Sequence, residues 1–241
     1  MAASPVEQFR IEPLVPIKLG GVDASFTNSS LSMVIAVLIV SALLVLSVRR
    51  RAVIPGRWQS AAEMLYEATA NMIRDTVGTE GRRYFPFIFT LFMFLLFGNL
   101  VGLVPYNFTY TSHVAVTAAL ALVVFVGVTI IGFAKHGFGY LRMFLPEGTP
   151  IAIAPLLVAI EILSYLSRPF SLAMRLAINM LVGHVLLQLL AGFVIALGVI
   201  GFVPIGFMGA IFLLELLVAV LQAYVFTILC CIYLNDAIHM H

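Results

Sequence analysis

Residues 161–188 read EILSYLSRPFSLAMRLAINMLVGHVLLQ, and the fold turns on how that run is taken. It is apolar enough to enter a bilayer, yet it carries Glu161, Arg168, Arg175, Asn179, His184 and Gln188. An ionisable residue at the centre of a spanning helix costs about 2.5–3.5 kcal/mol on insertion scales, so such residues are rare and mark function. At about 100° per residue, Glu161, Arg168, Arg175 and Asn179 fall within about 40° of one another, with Ser164 and Ser171 beside them. His184 and Gln188 form a second polar sector that points away from the first. The polar lining therefore changes face shortly after Arg175. Two separate wet paths meeting near one fixed positive charge would have this pattern.

The surrounding composition agrees with a membrane setting. Of 241 residues, 62% are hydrophobic and only 10% are charged, with the apolar residues gathered in long runs. One integral membrane domain, 1–241, accounts for the chain, since no polar segment is long enough to fold separately. The beginning, MAASPVEQFRIEPL, carries acids and lacks the basic-then-apolar order of a signal peptide. Cys230 and Cys231 are adjacent within an apolar run, so they read as inert buried thiols rather than a disulfide.

Outward from the central run, residues 1–30 contain Pro5, Pro13, Pro16 and Gly20-Gly21 and read as an irregular leader. An uncharged apolar span over 31–48 stops at Arg49-Arg50-Arg51, which places that end in the cytoplasm by the positive-inside rule. Over 58–77 the pattern becomes amphipathic. Trp58, Ala62, Leu65, Met72 and Ile73 recur at helical spacing, opposite Glu63, Glu67, Asn71, Arg74 and Asp75. With Pro55 and Gly56 before it, this predicts an interfacial helix on the cytoplasmic surface, or one packed against a partner protein.

Arg82 and Arg83 precede a second span, 84–104, ended by Pro105. Gly98 and Gly102 flank its Asn99 and read as small residues that let helices approach. The outer loop PYNFTYTSH has no Lys or Arg. A third span, 114–134, returns to Lys135, His136 and Arg142 inside. Two stretches remain, and both are too long for simple crossings. As single helices, 151–197 would measure about 70 Å and 205–235 about 46 Å, against a hydrocarbon core of about 30 Å. Either the first breaks, at Pro169, or both run steeply tilted as a hairpin joined at GVIGFVPIG. The hairpin gives the expected fold class: an all-α polytopic membrane protein with five membrane-entering helices and one amphipathic interfacial helix. The N-terminus is then outside and the C-terminus cytoplasmic.

An antiparallel hairpin brings polar residues to face each other across one seam. The register sets His184 opposite Glu215, Arg175 opposite Gln222 and Glu161 opposite Asp236, with Glu215 and Gln222 about 20° apart on their own helix. Arg175 stays protonated at any working pH, so it cannot load and unload protons. It can act as a fixed gate for an anionic partner. A carboxylate about 4 Å away, at an effective dielectric of about 20, is attracted by about 4 kcal/mol before desolvation. The other reading of Arg175 is a buried structural pair with Glu161 or Glu215. His184 and Glu215 both titrate and form a coupled relay, while Gln222 and Asn179 position water or the guanidinium. Arg168 reads as snorkelling to headgroups. Glu161, Ser164, Tyr233 and Asp236 line a cytoplasmic opening, though Asp236 reads equally as a solvated acid. There is no Gly-rich phosphate loop, paired-His metal motif or serine elbow, so no metal, cofactor or nucleic acid is implied.

The motif SRPFSLAMRLAINMLVGH resembles the signature of subunit a of F-type ATP synthases, as do LFGNLVGLVPY and LLELLVAVLQAYVFTILCCIYL. That resemblance covers nearly the whole chain. It implies a non-catalytic stator subunit in a bacterial plasma membrane, bordered by the c-ring of the rotor and by b-type peripheral stalk subunits. It implies that Arg175 is the essential arginine and that His184, Glu215 and Gln222 lie on the outer proton path. Some relatives carry Glu where His184 stands and His where Glu215 stands, so the two types are exchanged here. Two other classes fit the residues less well. An independent ion-coupled secondary transporter would show an internal repeat, and an intramembrane hydrolase would need a nucleophile beside a base.

Overall fold

A computed structural model describes residues 10–16, 18–19, 22–23, 25–49, 56–104, 108–144, 153–197 and 201–239. Pro5, Gly20-Gly21, Arg50, Arg51, Pro55, Pro105, residues 106–107 and 198–200, and the terminal His241 lie outside the described residues. Among the described residues, six α-helices carry the fold: α1 (Asn28–Arg49), α2 (Arg57–Thr76), α3 (Phe85–Gly102), α4 (Val114–His136), α5 (Ala154–Leu197) and α6 (Phe202–Ile238). Among the described residues, α1, α3, α4, α5 and α6 are long and apolar enough to cross a membrane. The chain is an all-α polytopic membrane protein.

The leader is more ordered than its prolines suggest. Within the described part of it, Pro13–Val15 pairs antiparallel with Phe26–Thr27, and Lys18–Leu19 pairs with Val22–Asp23. The first of these ladders ends directly at α1, where Asn28 Oδ1 accepts from the Ser29 amide at 2.9 Å.

The long central stretch does not break. Helix α5 runs through Pro169 for 44 residues, and α6 returns against it for 37. At about 1.5 Å per residue they measure about 66 Å and 55 Å, so both exceed the bilayer core. Small side chains line their seam: Ala173, Ala177, Ala219 and Ala223 are all buried. In a bilayer, where lipid tails are as apolar as leucine, close van der Waals approach of this kind holds helices together. Helix α3 packs on α6 and α4 on α5, while α1 packs on α3. Ile88, Leu95, Leu176 and Phe226 fill the shared interior.

Helix α2 lies against α1, α3 and α6 of its own chain. Met72 and Ile73 are buried, Ala62 and Leu65 are half-buried, and Glu63, Glu67, Asn71, Arg74 and Asp75 are exposed, as the periodicity predicts. Trp58 departs from that pattern. Its side chain is 72% exposed, at the first turn of the helix, while its carbonyl accepts from Ser47 Oγ at 3.1 Å.

Gly98 and Gly102 admit side chains, not a neighbouring helix. A Cβ on Gly98 would lie 1.8 Å from the Tyr110 hydroxyl, and one on Gly102 would lie 2.7 Å from Thr109 Cγ2. The loop after α3 therefore folds back into the bundle, and Phe108, Thr109, Tyr110, Thr111 and Ser112 are all buried. Tyr110 donates to the Phe94 carbonyl at 3.1 Å. At the other end of the bundle, Gly137 has φ +57°, which ends α4 and turns the chain so that Tyr140 covers Gly132.

Candidate functional site

Three polar stations lie along the α5–α6 seam. At the first, His184 Nδ1 is 3.6 Å from Glu215 Oε1, as the hairpin register predicts. Both groups are sequestered, with side-chain exposures of 12% and 3%. Neither carboxyl oxygen of Glu215 receives a hydrogen bond from the described residues. Gly183 makes the space for this carboxyl, since a Cβ there would lie 2.7 Å from Oε1. The loop after α3 supplies a third member: Thr109 Oγ1 is 2.9 Å from His184 Nε2.

The second station differs from the expected register. Gln222 meets Asn179, whose Nδ2 donates to Gln222 Oε1 at 3.0 Å, so its partner is one helical turn beyond Arg175. Close by, Asn99 Nδ2 donates to the Ala219 carbonyl at 3.0 Å, which ties α3 to the same part of α6.

The third station corrects two readings. Asp236 is neither simply solvated nor opposite Glu161, because Arg168 Nη1 donates to its Oδ2 at 3.1 Å. The guanidinium also sits over Tyr165 and Tyr233, 5.7 and 5.1 Å from the ring centroids. Asp236 was expected opposite Glu161, two turns earlier on α5. Side-chain length accounts for the shift, since an arginine spans the several ångströms that a carboxylate cannot. Glu161 is half-buried, and Ser164 and Ser171 are exposed.

Among the described residues, Arg175 makes no hydrogen bond or ion pair with the three stations. It is exposed, and no carboxylate among the described residues is within ion-pairing distance of it. It is nine residues from His184, so the two are about 13 Å apart along the axis and about 180° apart around it. Its face carries exposed apolar residues, Ile178, Val182, Leu189 and Phe193, together with the polar Arg168, Ser171 and Asn179. Arg175 therefore stands where that face passes from polar, at Arg168 and Ser171, to apolar, from Val182 onward, on the outside of the hairpin. His184 faces the inside. This is the change of face that the sequence implied.

Spacing alone did not find Thr109 or Gly183. Thr109 lies in a loop, where no periodicity operates. Gly183 carried a usable signal, because a glycine inside a long helix costs about 1 kcal/mol against alanine and usually marks a close approach. Among the described residues, no three His, Cys, Asp or Glu side chains come together to hold a metal ion.

The chain as a whole is similar to known proteins. The family model described as ATP synthase A chain matches residues 30–235. ATP synthase subunit a of Paramagnetospirillum magneticum is 63% identical, with 99% of this chain and 100% of that protein covered. The subunit a of Rhodospirillum rubrum is 62% identical, with 99% of each chain covered. That of Pelagibacter ubique is 51% identical over 100% of both.

Proposed function

The chain belongs to the ATP synthase A chain family, the subunit a of F-type ATP synthases, and from that premise we propose that it is the proton-translocating stator subunit. Protons enter from the outer side by way of Glu215 and His184 and protonate a carboxylate on the rotor's c-ring. The ring turns with that carboxylate neutral through lipid. On arrival, Arg175 favours the ionised form and drives release into a second, cytoplasmic half-channel near Glu161. Each charge crossing 100 mV contributes about 2.3 kcal/mol, so several protons drive one synthesis event. The chain is not itself catalytic.

One observation supports this reading: among the described residues, Arg175, unlike Arg168 and His184, has no carboxylate within ion-pairing distance. Arg168 is paired with Asp236 and His184 with Glu215, whereas Arg175 is exposed at the edge of an apolar stretch that runs on through Val182 and Leu189. A cation left so exposed in a bilayer requires an anion from elsewhere, and a rotor carboxylate in an apolar ring provides one. Gln222 and Asn179 form the neutral bridge between the two paths.

The basic ends support the orientation. Lys135 pairs with Glu80, and His136 Nε2 lies 3.1 Å from the Ile238 carbonyl, so the ends of α4 and α6 gather beside the start of α3. Arg82, Arg83 and Lys135 on that end support a cytoplasmic position for it, with the C-terminus inside and the leader outside a bacterial inner membrane. Peripheral stalk subunits of the b type complete the stator.

The test is Arg175→Ala in the assembled complex, read as ATP-driven proton pumping in inverted vesicles. Coupled pumping is lost while the complex persists. Normal pumping removes Arg175 from the mechanism, and proton flux from this chain reconstituted without a ring indicates an independent transporter.

A further inference from the structure

The buried loop after α3 contacts the proton-path pair, and the geometry points to Thr109 as a positioning residue that keeps a proton on His184 Nε2 and leaves Nδ1 as the nitrogen that exchanges with Glu215. This inference rests on the proton-path reading of His184.

The argument is a count of protons. A threonine hydroxyl has one hydrogen to donate and lone pairs to accept with. Thr109 Oγ1 lies 2.9 Å from the Gly102 carbonyl, which can only accept, so the hydroxyl hydrogen is committed there. The same oxygen lies 2.9 Å from His184 Nε2. With its hydrogen spent on Gly102, it can only accept from the ring, and Nε2 must carry a proton. Neutral His184 is then the Nε2–H tautomer, with the Nδ1 lone pair on the Glu215 side, 3.6 Å from Oε1.

Three features make this a built arrangement. Thr109 is only 3% exposed, so water competes poorly for its oxygen. Its Cγ2 is packed against Gly102, which fixes the rotamer. Ser112 Oγ donates to the Thr109 carbonyl at 2.6 Å, which holds the loop backbone in place.

The consequence is directional. A proton on Glu215 moves to Nδ1, giving an imidazolium beside a carboxylate, and the reverse step returns it; the pair's net charge is unchanged by either. Nε2 keeps its proton throughout, so protons do not thread the ring from one nitrogen to the other. His184 stores and returns a proton from one side.

The experiment uses the intact membrane complex with 15N-labelled histidine, with the His184 resonances assigned by their loss in His184→Gln. In the wild type at alkaline pH, the protonated nitrogen of neutral His184 is Nε2. Thr109→Val preserves the shape but removes the acceptor, moves population to the Nδ1–H tautomer and lowers passive proton conduction by roughly tenfold, the worth of one hydrogen bond. Thr109→Ser restores both readouts. A wild-type Nδ1–H tautomer, or an unchanged tautomer in Thr109→Val, overturns the proposal. The wild-type measurement needs no variant to assemble. A changed tautomer with unchanged conduction upholds the hydrogen-bond assignment and sinks the proton-path reading of His184 instead.

Discussion

Replacing Gly183 by alanine perturbs the His184–Glu215 pair without touching either residue. The added Cβ would lie 2.7 Å from Glu215 Oε1, 2.9 Å from Cδ and 3.1 Å from Cγ. Ordinary contact begins near 3.4 Å, so the carboxyl must retreat by about 0.7 Å, and a shift of that size is enough to open the 3.6 Å gap to His184 past 4 Å. Two effects compete in the folded chain. Overpacking costs about 1–3 kcal/mol, and alanine in a helix recovers about 1 kcal/mol over glycine. The net cost is small enough for the complex to assemble. Proton transfer is far more sensitive, since a misplacement of about 1 Å costs about a hundredfold in rate. The expected result is near-normal assembly with passive proton conduction reduced at least tenfold, measured in vesicles stripped of the catalytic sector. Gly192→Ala is the control, because a Cβ at Gly192 meets nothing within 4 Å. Equal conduction in the two variants would refute the claim that Gly183 makes room for a working carboxyl.

Other perturbations separate the parts of the fold. Gly98→Ala drives a Cβ to within 1.8 Å of the Tyr110 hydroxyl and breaks its bond to Phe94; thermal stability of the purified complex falls by about 1–3 kcal/mol, whereas Gly127→Ala, with open space around it, is neutral. Asp236→Asn removes the partner of Arg168, but the pair is partly exposed, at 26% and 39%. Stability therefore changes by less than about 1 kcal/mol, and a larger loss in a melting experiment would show the pair to be more dehydrated than its exposure implies. His184→Cys with Glu215→Cys, in a background lacking Cys230 and Cys231, crosslinks across the seam under mild oxidant; failure with several oxidants counts against the pairing.

The helices were legible in the sequence because two simple signals fix them. Uncharged apolar runs give α1, α3 and α4, and length in excess of a bilayer gives the hairpin. The His184–Glu215 pair was legible for the same reason, since an antiparallel register follows from a single turn. The register failed further from that turn. Asn179 replaced Arg175 opposite Gln222, and Arg168 replaced Glu161 opposite Asp236, because side-chain reach rather than backbone position decides which polar groups meet. Pro169 gave no answer from sequence, as a membrane helix can either break at proline or run through it. The loop carrying Thr109 reads in the sequence only as an outer loop without Lys or Arg. Its burial depends on cavities left by Gly98 and Gly102, which only the folded bundle displays.

A density map of the intact membrane sector tests the central claim most directly, through the identity of what lies against Arg175. The account predicts rotor helices over the Ile178–Val182–Leu189 stripe and a rotor carboxylate passing within about 4 Å of the guanidinium. Lipid over that stripe, with Arg175 turned back onto Glu161 or Glu215, would contradict it.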